Sequence, residues 1–461
     1  MTYGETLEYI HGINRYAKKL GLENIRRLMR ELGDPQDRLQ FVHIAGTNGK
    51  GSTAALTASV MRAAGYRTGL YTSPYLQRFT ERIRVDGCEI PEPEVVRLTA
   101  VVMAAIERIV ADGFQHPTEL EVVAAIAFLY FEQTGCDVVA LEVGLGGRYD
   151  PTNVIKAPLA AVINTIDYDH IIKLGGTLEK IAYEKAGIIK PGCDAVVYPQ
   201  REGVLRVFES EAREVGARLT VCDFSSLRLE SFGLDGQRFS YGRYEGLEIS
   251  LLGDYQANNA ALVVEAVDTI NRNSCNNRNS SNNSDDLYSS NNSDNRCGIY
   301  VPEDALRRGL KAARWPGRLE LLCENPAVVV DAAHNAQCAQ ALRGALLKYF
   351  PDRELVLIFG VLRDKDYLSI IDSMLPIASE VFTVTPGSER ALSAEELAGV
   401  LAERSGARLA GRIHACGSVT EATRRAIERA RSTDAVVCAF GSLYYIGAVR
   451  EIMGYTQPEQ I

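Results

Sequence analysis

The sequence predicts an α/β protein: a P-loop NTPase-type N-terminal domain with a central, mainly parallel sheet, followed by a smaller Rossmann-like α/β C-terminal domain. Three observations carry this. Short β-branched runs alternate with longer stretches of helical period, as they do when parallel strands are joined by crossover helices. A length of 461 residues exceeds what one hydrophobic core usually serves. A loop rich in glycine, Gly46 to Thr53, lies between a strand pattern and a helix pattern.

Taken in order, the expected strands of the first unit are Phe41–Ala45, Val138–Val143, Ala160–Thr165 and Ala195–Tyr198. Those of the second are Ala327–Asp331, Leu355–Phe359, Val381–Val384 and Ala435–Phe440. Helical runs are expected at Ala54–Ala64, Glu303–Ala313 and Gln337–Tyr349. The join falls at Arg314-Trp315-Pro316-Gly317, where Pro and Gly end a helical run, so the domains read as 1–313 and 314–461. Residues 271–297 hold ten Asn and seven Ser and have too little apolar surface to bury, so a disordered surface loop, dispensable for chemistry, is expected there.

Composition removes several classes. The chain is 46% hydrophobic and 24% charged, which is ordinary for a globular protein, and its net charge is -9, whereas nucleic-acid binders carry a basic excess or stripe. No nucleic acid and no membrane partner is expected. The longest apolar run, Val122–Phe131, is too short to span a bilayer, and the first twenty residues lack the apolar core of a signal peptide. The ten Cys include no CxxC pair, which points away from a zinc ribbon or disulfide framework. A cytoplasmic monomer is the expectation.

The chemistry concentrates at strand ends. Gly46-Thr47-Asn48-Gly49-Lys50-Gly51-Ser52-Thr53 joins strand to helix: its glycines let backbone N–H groups wrap phosphate oxygens, Lys50 adds positive charge, and the helix N-terminus favours an anion. It departs from the common P-loop in two ways. The first Gly is only three residues before Gly49, and a Gly stands between Lys50 and Ser52. Glu142 ends the next apolar strand, where a nucleotide-bound Mg²⁺ wants a carboxylate, although an acid there can also be a solvated end-of-sheet residue. Asp167, Asp169 and His170 follow the strand that ends at Thr165, and Asp331 and His334 follow an apolar strand of the second unit. Asp331 and Asn335 have an alternative role as caps of the helix that follows.

The loop GTNGKGS, Thr72-Ser73-Pro74, LEVGLGGRYDPTN from Leu141 to Asn153, Asp169-His170 and EKAGIIKPG from Glu184 to Gly192 resemble folylpolyglutamate synthase and dihydrofolate synthase of the Mur ligase superfamily. The resemblance continues through Trp315 to Glu320, Asp331 to Asn335, FGVLRDKD from Phe359 to Asp366, and Gly441 to Tyr444. It implies that Gly49, Lys50, Gly51 and Ser52 hold the ATP phosphates, with Asn259, Arg318 and Asp331 as further nucleotide contacts. It implies that Ser73, Glu142, His170 and a carbamylated Lys185 bind one or two Mg²⁺ ions, that Thr118, Asp150, Pro151 and Thr152 receive the pteroate end, and that His334 and Ser442 place L-glutamate. Lys50, Lys185, Asp331 and His334 are then the candidate catalytic groups.

Tyr255 stands where relatives often carry His, Gly176 where Asp is frequent, and Leu120 where an aromatic is common. The implied function is ATP-dependent ligation of L-glutamate to folate, and to dihydropteroate as a second acceptor, through an acyl phosphate. Two other readings stay open at this stage. One is a ligase of the same superfamily acting on a cell-wall or storage-polymer precursor. The other is a P-loop nucleotide switch.

Overall fold

Eight strands make the first sheet: β1 (Phe41–Ala45), β2 (Thr68–Tyr71), β3 (Ile83–Val85), β4 (Cys88–Glu89), β5 (Val138–Glu142), β6 (Ala160–Ile163), β7 (Asp194–Val197) and β8 (Leu219–Val221). Their order is β4-β3-β2-β5-β1-β6-β7-β8, parallel from β2 to β8, with β3 and β4 antiparallel at one edge. The computed structural model describes residues 1–13, 21–169, 171–281 and 298–456.

β1 is buried along its whole length because helices cover both faces, which is why its sequence is apolar except at His43, whose Nε2 meets the Thr152 hydroxyl. Val42 and Ile44 share one core with the Lys50–Ala63 helix, while Phe41 and Ala45 enter cores on the opposite face, as the period of two requires. Its neighbours fix the geometry of the site. Ile44 pairs with Glu142 of β5, and Ala45 pairs with Ile163 of β6, so three strands deliver their carboxyl-terminal residues to one edge of the sheet.

A three-stranded antiparallel sheet follows, β9 (Arg228–Gly233), β10 (Gly236–Tyr241) and β11 (Tyr244–Ile249). Two helices, Asp254–Ser281 and Glu303–Ala312, then close the first unit against the Lys50–Ala63 helix. The second unit is a six-stranded sheet of β12 (Glu320–Glu324), β13 (Ala327–Val330), β14 (Leu355–Phe359), β15 (Ala378–Thr383), β16 (Ile413–Ala415) and β17 (Val436–Phe440). Its order is β12-β13-β17-β14-β15-β16, parallel except for the β12–β13 pair, with one core on each face. The expected join at 313/314 lies between the Glu303–Ala312 helix and β12.

The Asn/Ser-rich segment corrects the expectation at its beginning. The helix from Asp254 continues to Ser281, so 271–281 are not loop. Asn271 Nδ2 donates to the Val301 carbonyl at 2.8 Å and its Oδ1 accepts the Val301 N–H at 2.8 Å. Ser274, buried, donates its hydroxyl to the Ile299 carbonyl at 2.5 Å. Composition cannot reveal this, because the apolar turns upstream carry the polar residues into helix and the returning chain at 299–301 uses their amide and hydroxyl groups. Residues 282–297, the rest of that expected loop, lie outside the described residues. Deletion of 274–295 is therefore expected to cost roughly 1–3 kcal/mol of stability, since it strips the donor from a buried carbonyl. Turnover should be unchanged, and calorimetry beside a steady-state assay checks both.

Candidate active site

β1 runs into the glycine loop, and the loop turns at Gly46 and Gly49, whose φ values are 147° and 85°. A Cβ on Gly49 would come within 2.7 Å of Asn259 Oδ1 and 2.8 Å of Asn164 Nδ2, so the close approach requires glycine as much as the dihedral does. Lys50 is the first residue of the helix and its ammonium donates to the Thr47 carbonyl at 3.1 Å. The amides of the first helical turn have no partner within the helix, which makes this end an anion cradle.

Beside the loop, Glu142 closes β5 with its side chain buried, and its Oε2 accepts the Ser73 N–H at 3.1 Å. Burial pushes its carboxyl up, while Lys50, the Ser73 amide and Arg318 hold it down. Lys185 is also buried and donates from Nζ to the Gly46 carbonyl at 2.8 Å. Desolvation, assisted by the charge of Lys50, pushes its ammonium down to about 7 against the pull of Asp169, Asp150 and Glu184. Lys185 can approach because Gly147 lacks a side chain. A Cβ there would meet the Glu184 carbonyl at 2.8 Å and the Lys185 Cα at 3.0 Å.

The second domain supplies the opposite wall. β13 ends at Val330, and Asp331 accepts the Leu319 N–H at Oδ2 and the Ala333 N–H at Oδ1, both at 2.7 Å, with the Tyr255 hydroxyl 3.4 Å from Oδ2. Burial pushes Asp331 up and Arg318 opposes that. His334 Nδ1 lies 2.8 Å from the Ala332 carbonyl, which can only accept, so Nδ1 carries a proton, and Nε2 lies 3.9 Å from Asp169 Oδ2.

A cavity of about 360 Å³ lies between these walls. Of the residues to which the resemblance assigns a role, eleven line it: Gly49, Lys50, Gly51 and Ser52 from the loop, Ser73, Glu142, Lys185 and Asn259 from the rest of the first domain, and Arg318, Asp331 and His334 from the second; Asp169 and Tyr255 line it beside them. The others do not. Ser442 caps the Leu443–Ile452 helix, accepting the Tyr444 N–H at 3.3 Å, and its neighbour Leu443 reaches the cavity instead. Thr118 caps the Glu119–Gln133 helix in a reciprocal arrangement with Glu121. Asp150 is buried, holding Thr152 through Oδ1 and the Leu145 N–H through Oδ2 at 2.8 Å, so it shapes the Gly144–Gly147 turn, and Thr152 in turn meets His43 Nε2 at 2.9 Å. Pro151 opens the short helical turn between them. His170 lies outside the described residues.

Four residues that sequence reasoning gave no role also meet here. Asn164 Nδ2 donates to Thr53 Oγ1 at 2.8 Å and to Asn259 Oδ1 at 3.1 Å, joining loop to helix. Asn48 bridges the domains, accepting from Asn335 Nδ2 at 2.9 Å and donating to Gln337 Oε1 at 2.5 Å, while Asn335 also caps its helix as its alternative role proposed. Lys365 pairs with Asp169 at 2.7 Å across the same seam. It stands in the FGVLRDKD stretch, a signal that was visible but carried no chemistry until the fold brought it to Asp169.

Among the described residues no three His, Cys, Asp or Glu side chains converge on a metal position. Of the metal ligands that the resemblance implies, Glu142 and Ser73 supply a carboxylate and a hydroxyl on the cavity. Hard oxygens in small number suit Mg²⁺, which keeps waters and takes the rest of its shell from phosphates. Gly147→Ala is expected to lower kcat at least tenfold and reduce the melting temperature together, because the methyl displaces the backbone that carries Lys185. Turnover and thermal melting of that variant check it.

Two families cover the chain in sequence: the Mur ligase middle domain matches residues 44–267 and the Mur ligase glutamate ligase domain matches 317–443. A dihydrofolate synthase/folylpolyglutamate synthase of Bacillus subtilis is 34% identical over 457 residues, covering 97% of this chain and 98% of that protein. Among solved structures, Mycobacterium tuberculosis folylpolyglutamate synthase complexed with ADP and AMPPCP superposes with a TM-score of 0.84 at 31% identity, over 99% of both chains. An FPGS-AMPPCP-folate complex superposes with a TM-score of 0.79 at 32% identity, covering 98% of this chain and all of the other, 100%.

Proposed function

Because the chain belongs to the folylpolyglutamate synthase/dihydrofolate synthase branch of the Mur ligase family, we propose that it ligates L-glutamate to folate, and to dihydropteroate as a second acceptor, at the expense of ATP. The observation that supports this most is one cavity walled by a phosphate loop on one domain and by Arg318, Asp331 and His334 on the other. A nucleotide in the loop is thereby within reach of groups that only a two-domain enzyme supplies.

In this reading the ATP phosphates lie on the Gly46–Ser52 amides and Lys50, with Asn259, Arg318 and Asp331 holding the rest of the nucleotide. Ser73 and Glu142 hold Mg²⁺, which supplies positive charge at the phosphates. The folate carboxylate attacks the γ-phosphorus, ADP leaves, and an acyl phosphate results. The free amine of glutamate then attacks the acyl carbon and expels phosphate. The ammonium must first lose a proton, and His334 Nε2, free to accept because Nδ1 donates to Ala332, is the base in the cavity. Lys185 is carbamylated, Ser442 positions glutamate through the start of its helix, and the pteroate end lies toward Thr118 and the Asp150–Thr152 turn. The enzyme works as a monomer in the cytoplasm; among the described residues no helix is long and apolar enough to cross a membrane.

The test is ADP release with tetrahydrofolate and with dihydropteroate as separate acceptors, with and without L-glutamate. Release that requires glutamate and one of these acceptors is expected. Release independent of both would favour a nucleotide switch, and dependence on a cell-wall or storage-polymer precursor would favour another ligase of the superfamily.

A further inference from the structure

Two loops that reach the cavity are joined by a residue that does not line it. The loop after β2 carries Ser73 and Pro74 to the cavity and then runs against the second domain, its turn held within the first domain by Glu81, which accepts the backbone N–H groups of Leu76, Gln77 and Arg78 at 2.7, 2.9 and 2.8 Å. The Gln77 side chain is gripped at both ends: Nε2 donates to the Tyr455 carbonyl at 2.9 Å, and Oε1 accepts from Arg450 Nη1. Arg450 is buried on the Leu443–Ile452 helix, and its Nε and Nη2 form a fork on Glu320 at 3.0 to 3.2 Å. Glu320 Oε2 also accepts the Gly317 N–H at 2.7 Å, which fixes the turn that points Arg318 into the cavity. The contact between the domains is tight as well, since a Cβ on Gly447 would lie 2.5 Å from the Leu76 carbonyl.

We propose that Arg450 is a positioning residue that seats the Ser73 loop and the Arg318 turn as one unit, so that the two halves of the nucleotide site are set together when the domains close. Only a guanidinium fits this place. Its planar fork holds both carboxylate oxygens of Glu320 and still presents a third N–H to Gln77, which a lysine's single ammonium on a flexible stem cannot match. The proposal rests on the nucleotide reading above, and the two fail separately: wild-type affinity for MgADP tests that reading, and the ratio of variant to wild type tests this one.

Gln77→Ala cuts the loop side while leaving the Arg450–Glu320 pair intact, so it keeps the question open to an answer if Arg450→Lys fails to fold. By calorimetry with MgADP and without turnover, Gln77→Ala is expected to bind about tenfold more weakly, its KM for ATP is expected to rise while kcat changes little, and its melting temperature should stay near wild type. Gln77→Glu, which returns an acceptor to Arg450, should recover part of the affinity. In the folded double variant, Arg450→Lys should add little further loss to Gln77→Ala, because both break one linkage. Wild-type MgADP affinity in Gln77→Ala, no recovery in Gln77→Glu, or fully additive losses would overturn the proposal.

Discussion

Lys50→Ala is expected to lower kcat/KM about 10²–10³-fold, or roughly 2.7–4 kcal/mol, the range found when one preorganised electrostatic group is removed from a site of developing charge. Lys50 opens its helix facing the cavity, and its ammonium donates to the Thr47 carbonyl at 3.1 Å. Alanine is a better helix former, so the helix loses nothing, and no core contact is removed. The loss falls instead on charge. The γ-phosphoryl must pass to the acceptor in a site where Lys50 is the loop's cation, and the buried Glu142 is held down foremost by the same ammonium. A folded Lys50→Ala protein, shown by an unchanged melting curve, with near-normal turnover would contradict the role of the loop as phosphate cradle.

The loop was legible because its function needs backbone: glycines and a helix start are written in consecutive residues, and β1 before it is a short buried run, apolar except for His43. The same holds for β5, β6, β13, β14 and β17, buried on both sides and therefore apolar apart from Glu142 at the end of β5. β2 escaped because it is four residues long with Gly69 inside it, and that glycine is there because a Cβ would press within 2.9 Å of Phe131 and 3.0 Å of Val139. β9 to β11 escaped because exposed charged positions such as Arg228, Glu230 and Arg238 interrupt their pattern, and their pairing rests on cross-strand contacts such as Arg238 with Glu230 at 2.9 Å. The C-terminal edges of both sheets could be expected to form the site, but which side chain crosses the seam could not. Asn48 to Asn335 and Lys365 to Asp169 are separated by 287 and 196 positions, and no local pattern couples residues that meet only through the packing of two domains.

Lys185→Ala should be nearly inactive, with a loss comparable to or greater than that of Lys50→Ala, and the reason expected is a carbamate. A protonated amine beside Lys50 would repel a cation and offers no lone pair. The site removes that obstacle in part: burial and the Lys50 charge push Lys185 down to about 7, so that near neutral pH much of the amine is free to attack carbon dioxide. Its nitrogen then bonds to the carbon, one proton leaves to solvent, and the cation becomes an anion with two oxygens suited to Mg²⁺. The same shift gives a test that needs no turnover. Between the native value of about 7 and the ordinary 10.5, the unfolded chain binds a proton that native Lys185 has released. In carbon dioxide-free buffer the stability contribution of this lysine therefore rises with pH over that window, and Lys185→Met should lack that rise. With bicarbonate present, a short carboxylic acid that enters the vacated space should partly restore Lys185→Ala. A nucleotide complex crystallised with bicarbonate should show density for the carbamate at Nζ, and a bare amine there at full occupancy would refute it.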